Sequence, residues 1–168
     1  MFGRSKQPLA EPRPEGVRIS MLGREERAAI AQHRFLAFDK LLRLAKCATE
    51  PDQENLRIIF HTGKHQFMLF VDRDDPRKIS LVMAFTSSTG DFRKAERVSA
   101  AITHKHFAAK VSSLPHGDGY FGGEGYFTIF RTSVYAEAAH AFGDSLKAYV
   151  DDTIHAYDEF VRLMLADD

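Results

Sequence analysis

The chain has 168 residues, enough for one domain of ordinary size with its own hydrophobic core. Apolar residues make up 44% and charged residues 27%, close to the globular average, which excludes a wholly disordered chain. The 23 lysines and arginines balance the 23 acidic residues, so no broad electrostatic attraction to nucleic acid or to an anionic membrane is expected. The single cysteine, Cys47, excludes a disulfide framework and a cysteine-based zinc cluster.

The N-terminal segment carries Pro8, Pro12 and Pro14 and few large apolar groups. Such a segment buries too little surface to offset its ordering entropy, so we predict a flexible tail over residues 1–20 and a single α+β domain over residues 21–168. The start is basic but lacks the apolar core of a secretory signal, and no apolar run approaches the roughly 18 residues of a membrane span. A lone thiol suits a reducing compartment, so the expected location is the cytoplasm.

The first half of the domain predicts one helix and three strands. Apolar residues recur at three- and four-residue spacing over residues 24–48, and Pro51 ends this helix. Alternating apolar residues then predict strands over residues 56–60, 67–71 and 79–86. The turns between these strands are short, which is typical of an antiparallel meander.

A second helix and a hairpin follow. Asp91 is placed to cap the helix, which we predict to end near His106, where the apolar stripe breaks. A fourth strand then begins near residue 107, and residues 115–119 form the hairpin loop to a fifth strand over residues 120–131. Three glycines of the fifth strand indicate a bulge or a close backbone approach: Gly122, Gly123 and Gly125.

A long final helix closes the chain. Thr132 and Ser133 are predicted to cap it, Gly143 to kink it, and its apolar pattern extends to about Leu165. A helix of some thirty residues is about 45 Å long, whereas a five-stranded sheet is about 24 Å wide. Part of the apolar surface of this helix therefore needs another partner, either the first helix or a second subunit.

Apolar side chains also fall on both faces of the predicted sheet. One face of the sheet has the larger number of apolar residues and is the predicted core face. Ile59 belongs to the apolar set on the opposite face. This opposite face is either covered by the protein's own helices or forms a binding surface. The candidate partner-binding residues on this face and on the final helix are Met68, Phe70, Val82, Ala84, Tyr126, Phe130, Val150, Ile154 and Val161.

No motif in the sequence predicts catalysis. Residues 117–122 fit the string G-x-G-x-x-G, but a dinucleotide site needs a helix after this string, and here a second strand follows. The string therefore indicates a hairpin with a glycine bulge. No nucleophile with a base and no pair of carboxylates stands out, so we expect a protein that is not an enzyme and has no cofactor.

The eight histidines leave a second possibility open. His61 and His65 flank the first turn and would face each other across a hairpin, while His104 and His106 lie two residues apart. No third ligand accompanies either pair at a diagnostic spacing, so surface and capping roles are favoured over a metal. The alternative function is therefore a small-ligand or metal-binding protein with a histidine-lined pocket.

The element order resembles the type III secretion chaperone-like fold, and within it the bacterial YbjN-type family of sensory-transduction regulators. The resemblance covers residues 24–165 and is carried by the segments FMLFVD (67–72), ISLVMA (79–84), ITHKHFAAKV (102–111) and GDGY (117–120). It implies non-catalytic binding of another protein, often as a homodimer, with no family active site to transfer. We therefore expect a cytoplasmic protein-binding module, a regulator or chaperone, that contacts a partner protein and forms a homodimer.

Overall fold

The computed structural model describes residues 17–88, 90–115, 125–137 and 139–166. These residues form three α-helices and one antiparallel sheet with strand order β1-β2-β3-β4-β6-β5, which confirms the predicted α+β class. The helices are α1 (Arg24–Leu44), α2 (Phe92–Thr103) and α3 (Ala139–Leu165), and a short 3-10 helix covers Ile19–Met21. The strands are β1 (Thr49–Asp52), β2 (Arg57–Thr62), β3 (His65–Val71), β4 (Lys78–Ser87), β5 (Lys110–Pro115) and β6 (Tyr126–Tyr135).

Strand β1 is an addition to the predicted order. The prediction used Pro51 only as the end of the first helix, but Pro51 lies within β1, opposite Ile58 of β2. Proline has no backbone N–H to donate, so it is tolerated on an edge strand, which is the position of β1 in the sheet. The helix itself ends at Leu44, and Lys46 then adopts a left-handed backbone with a φ of 61°.

Two predicted boundaries around the hairpin and final helix differ from the structure. Helix α2 ends at Thr103, and His104 occupies its C-cap. Thr132 and Ser133 do not cap α3, because β6 continues to Tyr135. Alternate residues of β6 stay buried as far as Thr132, so the sheet keeps this segment extended. Helix α3 runs without a break through Gly143.

The described residues fall into two compact units, of which the first comprises residues 17–81 and 133–148. Helix α1 packs on strands β1, β2 and β3. In the core of the first unit, Phe60 stacks on Phe67 with ring centroids 5.4 Å apart. Phe38 meets Phe142 edge-to-face at the same centroid separation. These aromatic pairs join neighbouring strands and join α1 to the start of α3.

The first unit also includes residues that were predicted to belong to the tail. Ile19 is fully buried and packs with Leu22, Ile30 and Val17. The 3-10 helix places Ile19 and Leu22 on this cluster, so residues 17–20 of the predicted tail lie beside the core of the first unit. Residues 1–16 lie outside the described part of the chain.

The second unit comprises residues 82–132 and 149–166. Aromatic rings fill its core: Phe130 lies 5.7 Å from both Tyr157 and Phe160, and Phe85 lies 6.2 Å from Phe160. A buried ladder of hydroxyl groups runs beside the rings, with Ser113 Oγ 2.8 Å from Ser99 Oγ and 2.7 Å from Thr128 Oγ1. The ladder satisfies polar groups that would otherwise be costly inside a core.

Candidate partner-binding groove

A groove of about 320 Å³ opens in the second unit. It is formed where the ends of β4 and α3 meet the starts of α2 and β6. Its walls are mostly apolar. The lining residues are Phe85, Ser87, Gly90, Asp91, Lys94, Tyr126, Phe160, Val161, Met164 and Leu165.

The polar rim is built by the start of α2. The Asp91 carboxylate accepts hydrogen bonds from the backbone N–H groups of Arg93 and Lys94 at 2.8 and 3.2 Å, so the predicted cap forms. Lys94 follows within the first turn, and its ammonium donates to the carbonyl oxygen of Ala166 at 2.5 Å. The rim therefore links the beginning of α2 to the end of α3.

The opposite wall depends on a close backbone approach at Gly125. This residue has a φ of 111°, and a Cβ atom there would overlap the carbonyl oxygen of Ser87. The predicted close approach is therefore present at Gly125, whereas Gly122 and Gly123 lie outside the described residues, as does the G-x-G-x-x-G string. The next residue, Tyr126, lines the groove, and burial raises the pKa of its phenol despite a hydrogen bond from Ser87 that acts in the other direction.

The end of α3 supplies the exposed apolar surface of the groove. Leu165 is 79% exposed, and Val161 and Met164 are half-buried. Helix α3 has 27 residues and is about 40 Å long, as expected from the overlong apolar pattern. The last turn of this helix therefore carries large apolar side chains that the second unit covers only in part.

Some of the predicted partner-binding residues reach this groove and others do not. Tyr126 and Val161 line it. Val82, Phe130 and Val150 are buried in the core, and Ile154 is half-buried on α3. A partner cannot contact Val82, Phe130 or Val150 without rearranging the core.

The face assigned to Tyr126 and Phe130 was wrong. They were predicted to lie on the sheet face opposite the core, yet Tyr126 lies 6.2 Å from Phe85, and both Tyr126 and Phe130 pack on the buried ring of Phe160. Side chains alternate along a strand, so a slip of one residue in the assumed register moves every side chain to the other face. Strand β6 lies between β4 and β5 in the sheet, and the sequence alone does not set its register against β4.

The remaining predicted residues lie on strands β3 and β4. Met68 and Phe70 are half-buried, and Met68 pairs with Ile59 on the face opposite the stacked Phe60 and Phe67. Ala84 is exposed. These positions are partly accessible to solvent, as a binding face requires.

The predicted histidine pairs do not converge. In the hairpin His61 lies opposite Gln66, while His65 lies opposite Thr62, so the two imidazoles are on different faces. His104 is exposed, and His106 is bonded to acidic side chains of α3. Among the described residues there is no group of three or more His, Cys, Asp or Glu side chains able to hold a metal ion.

Sequence reasoning missed Lys94, Met164 and Leu165 as groove residues. Apolar residues at 160, 161, 164 and 165 have the spacing of one helix face, which was the available signal. Their partial exposure depends on which elements pack beside them, and here the starts of α2 and β6 line the groove with them. In the part of the chain that the structure describes, no helix is both long and apolar enough to cross a membrane.

The element order and the antiparallel sheet define an α+β protein with helices packed on a sheet. The chain is similar to the crystal structure of YbjN from E. coli, described as a candidate transcription regulator, with a TM-score of 0.57 and 6% sequence identity. The similarity covers 78% of this chain and 94% of YbjN. It confirms the predicted YbjN-like fold. No protein-family model and no curated protein matches the sequence.

Proposed function

We propose that this protein is a non-catalytic binding module of the cytoplasm, a regulator or chaperone, that forms a homodimer and binds a partner protein through apolar surface. The observation that carries the proposal is the groove of the second unit, where Val161, Met164 and Leu165 remain partly or largely exposed. The fold similarity to YbjN is consistent with a regulatory role.

The chemistry of the groove favours a protein partner. Burying apolar surface contributes about 25 cal/mol per Å², and a partner's apolar side chains would remove this surface from water. Apolar walls with polar groups at the rim are also the usual anatomy of protein interfaces. Among the described residues that line the groove, Lys94 is the one cation and Asp91 the one anion, so this part of the surface has no strong single-sign charge of the kind that binds nucleic acid.

A photo-crosslinking amino acid at position 165 tests the proposal. In the native cell we expect a discrete protein adduct at this position, and its loss when Val161→Glu is added. The same amino acid at position 36 is the matched control, because Leu36 is a 52% exposed apolar residue on α1. Equal adducts at positions 165 and 36, or adducts that persist in the Val161→Glu variant, would show that the groove is not the binding surface.

Sedimentation of the purified chain tests the homodimer. We expect a dimer at micromolar concentration, and a monomer at all accessible concentrations would overturn this part of the proposal. If the dimer dissociates in Leu165→Glu but not in Leu36→Glu, a second copy occupies the groove. If the dimer is unchanged in both variants, the groove is not the dimer interface and remains the proposed site for a different protein.

A further inference from the structure

Strands β5 and β6 of the second unit have one face covered by helices and one face turned to solvent. On the covered face Ser113 meets Ser99 of α2 at 2.8 Å, and Phe130 packs on Phe160 of α3. Side chains alternate along a strand, so the residues between these project from the opposite face. We call this opposite side the outer face; its residues are Lys110, Ser112 and Leu114 of β5 and Phe127, Ile129 and Arg131 of β6.

The outer face is accessible and partly apolar. All three of its β5 residues are exposed, and Leu114 is 52% exposed. Phe127 and Ile129 are half-buried between their neighbours in the sheet. The adjacent strand β4 continues this surface with Ala84 and Thr86, which are both exposed. The outer face therefore has apolar side chains that a ligand lying flat on the sheet would cover.

Two cations lie directly opposite each other at one end of the outer face. Lys110 pairs with Arg131 in the register of the two strands, and both side chains are exposed. Directly opposite side chains have Cβ atoms about 5 Å apart, and like charges at such positions are destabilising. Among the described residues, neither cation has an ion pair or a side-chain hydrogen bond. Strands β4, β5 and β6 contain no acidic residue, so an anion from outside the sheet would neutralise this charge.

The apolar residues follow the cation pair at regular intervals. The next pair on the outer face is Ser112 with Ile129, and the pair after it is Leu114 with Phe127. Since each residue of a strand adds about 3.3 Å, these pairs lie about 7 and 13 Å from the cation pair. A complementary ligand therefore has a carboxylate at one end and apolar groups over the length of about five extended residues.

We propose that the outer face binds an acidic segment of another protein, with a carboxylate on Lys110 and Arg131 and apolar side chains on the two pairs beyond them. A guanidinium binds both oxygens of a carboxylate, and the lysine ammonium adds a second positive charge. A protein segment fits better than a membrane, because Phe127 and Ile129 are half-buried in the sheet and do not protrude into a bilayer. The groove lies on the other face of the sheet, so the outer face binds independently of it.

A displayed library of random dodecapeptides tests the charge preference. Selection on the purified chain is expected to enrich peptides that combine acidic residues with alternate apolar residues. On the double variant Lys110→Glu/Arg131→Glu, the same selection is expected to enrich basic peptides instead. Arg93→Glu/Arg97→Glu is the matched control, because it makes the same change of net charge at exposed positions of α2, and it is expected to select acidic peptides.

Two results of the selection would overturn the proposal. One is the absence of enriched acidic peptides on the unmodified chain. The other is the same outcome for the two double variants, which would show that net charge and not the outer face determines the selected peptides.

The affinity of one selected acidic peptide tests the position of the site. Arg131→Gln is expected to weaken binding about two- to fivefold at low salt, with a smaller loss at high salt because surface charges are screened. The thermal midpoint of this variant is expected to stay the same or rise, since a like-charge contact is removed. Val161→Glu, in the groove, is expected to leave the affinity unchanged. Loss of peptide binding in Val161→Glu would place the peptide in the groove and refute the outer-face site.

Two other occupants of the outer face are tested with the same double variant, Lys110→Glu/Arg131→Glu. We expect this variant to have the same sedimentation behaviour as the unmodified chain. Dissociation of a dimer in this variant would show that a second copy covers the outer face and would contradict the proposal. Binding of the unmodified chain to phosphatidylserine vesicles that is lost in this variant would contradict it as well.

Discussion

Arg34 donates a hydrogen bond from Nη1 to the carbonyl oxygen of Pro76, 42 positions further along the chain, at 2.6 Å. The same nitrogen donates to the carbonyl of Ala136 at 2.7 Å, and Nη2 donates to the carbonyl of Glu137. Arg34 is fully buried. One guanidinium from α1 therefore joins the turn before β4 and the connection from β6 to α3, which stabilises the first unit at two irregular segments.

Replacing Arg34 is expected to be strongly destabilising. In Arg34→Met the side-chain volume is nearly kept, but the buried carbonyls of Pro76 and Ala136 and the partly buried carbonyl of Glu137 lose their donor. We expect the free energy of unfolding to fall by about 3 kcal/mol in urea denaturation. Arg43→Ala is the control, because Arg43 is largely exposed and pairs with Asp39 of the same helix, and it is expected to cost less than about 1 kcal/mol. Equal effects of the two variants would contradict the structural role of Arg34.

Alanine substitutions at Gly125 and Gly63 test the close approach of the Gly125 backbone to Ser87. In Gly125→Ala the added Cβ overlaps the Ser87 carbonyl and the backbone φ of 111° is strained, so we expect a loss of about 2 kcal/mol or more. Gly63 has a φ of 59° but no atom within 4 Å of an added Cβ, so Gly63→Ala is expected to cost only about 1 kcal/mol. Thermal unfolding of both variants measures the difference. A Gly125→Ala variant as stable as Gly63→Ala would rule out the approach to Ser87.

Ser113 is expected to contribute to stability through the buried hydroxyl ladder. Ser113→Ala leaves the hydroxyls of Ser99 and Thr128 without the partner they share, and both residues are buried. We expect a loss of about 1–2 kcal/mol in urea denaturation. Ser112→Ala, at the adjacent exposed position of β5, is expected to have almost no effect. If the two variants are equally stable, the ladder contributes nothing to stability.

Acid is expected to weaken the second unit through Asp152. Its pKa is lower in the folded protein than in the unfolded chain, so the unfolded state binds more protons. The stability that ionised Asp152 contributes is therefore present above the unfolded pKa near 4 and is lost as pH falls through the folded pKa. Glu159 acts in the same direction.

Urea denaturation between about pH 7 and pH 3 measures this effect. Asp152→Asn is expected to be less stable at neutral pH and to lose less further stability in acid than the unmodified chain. Asp158→Asn is the control, because Asp158 is exposed on the same helix, and its pH dependence is expected to match that of the unmodified chain. An unchanged acid dependence in Asp152→Asn would show that Asp152 is not the responsible group.

The sequence by itself determined the order of helices and strands, the antiparallel class and the long final helix. These features depend on apolar periodicity, which is a local property: the alternation from Phe67 to Val71 and the cap at Asp91 are legible in a few consecutive residues. The short edge strand that contains Pro51 was not predicted from the sequence, because its pairing with β2 outweighs the local preference of proline against strands.

Only the tertiary structure decided which apolar residues are buried and which charged residues meet. Phe130 and Val161 were both predicted to bind a partner, yet one is fully buried and the other lines a groove, because strand register and helix ends are set by distant contacts. His106 and Asp152 are 46 residues apart, and no local pattern brings them within hydrogen-bond distance. Periodicity assigns a side chain to a face, but long-range packing decides what that face touches.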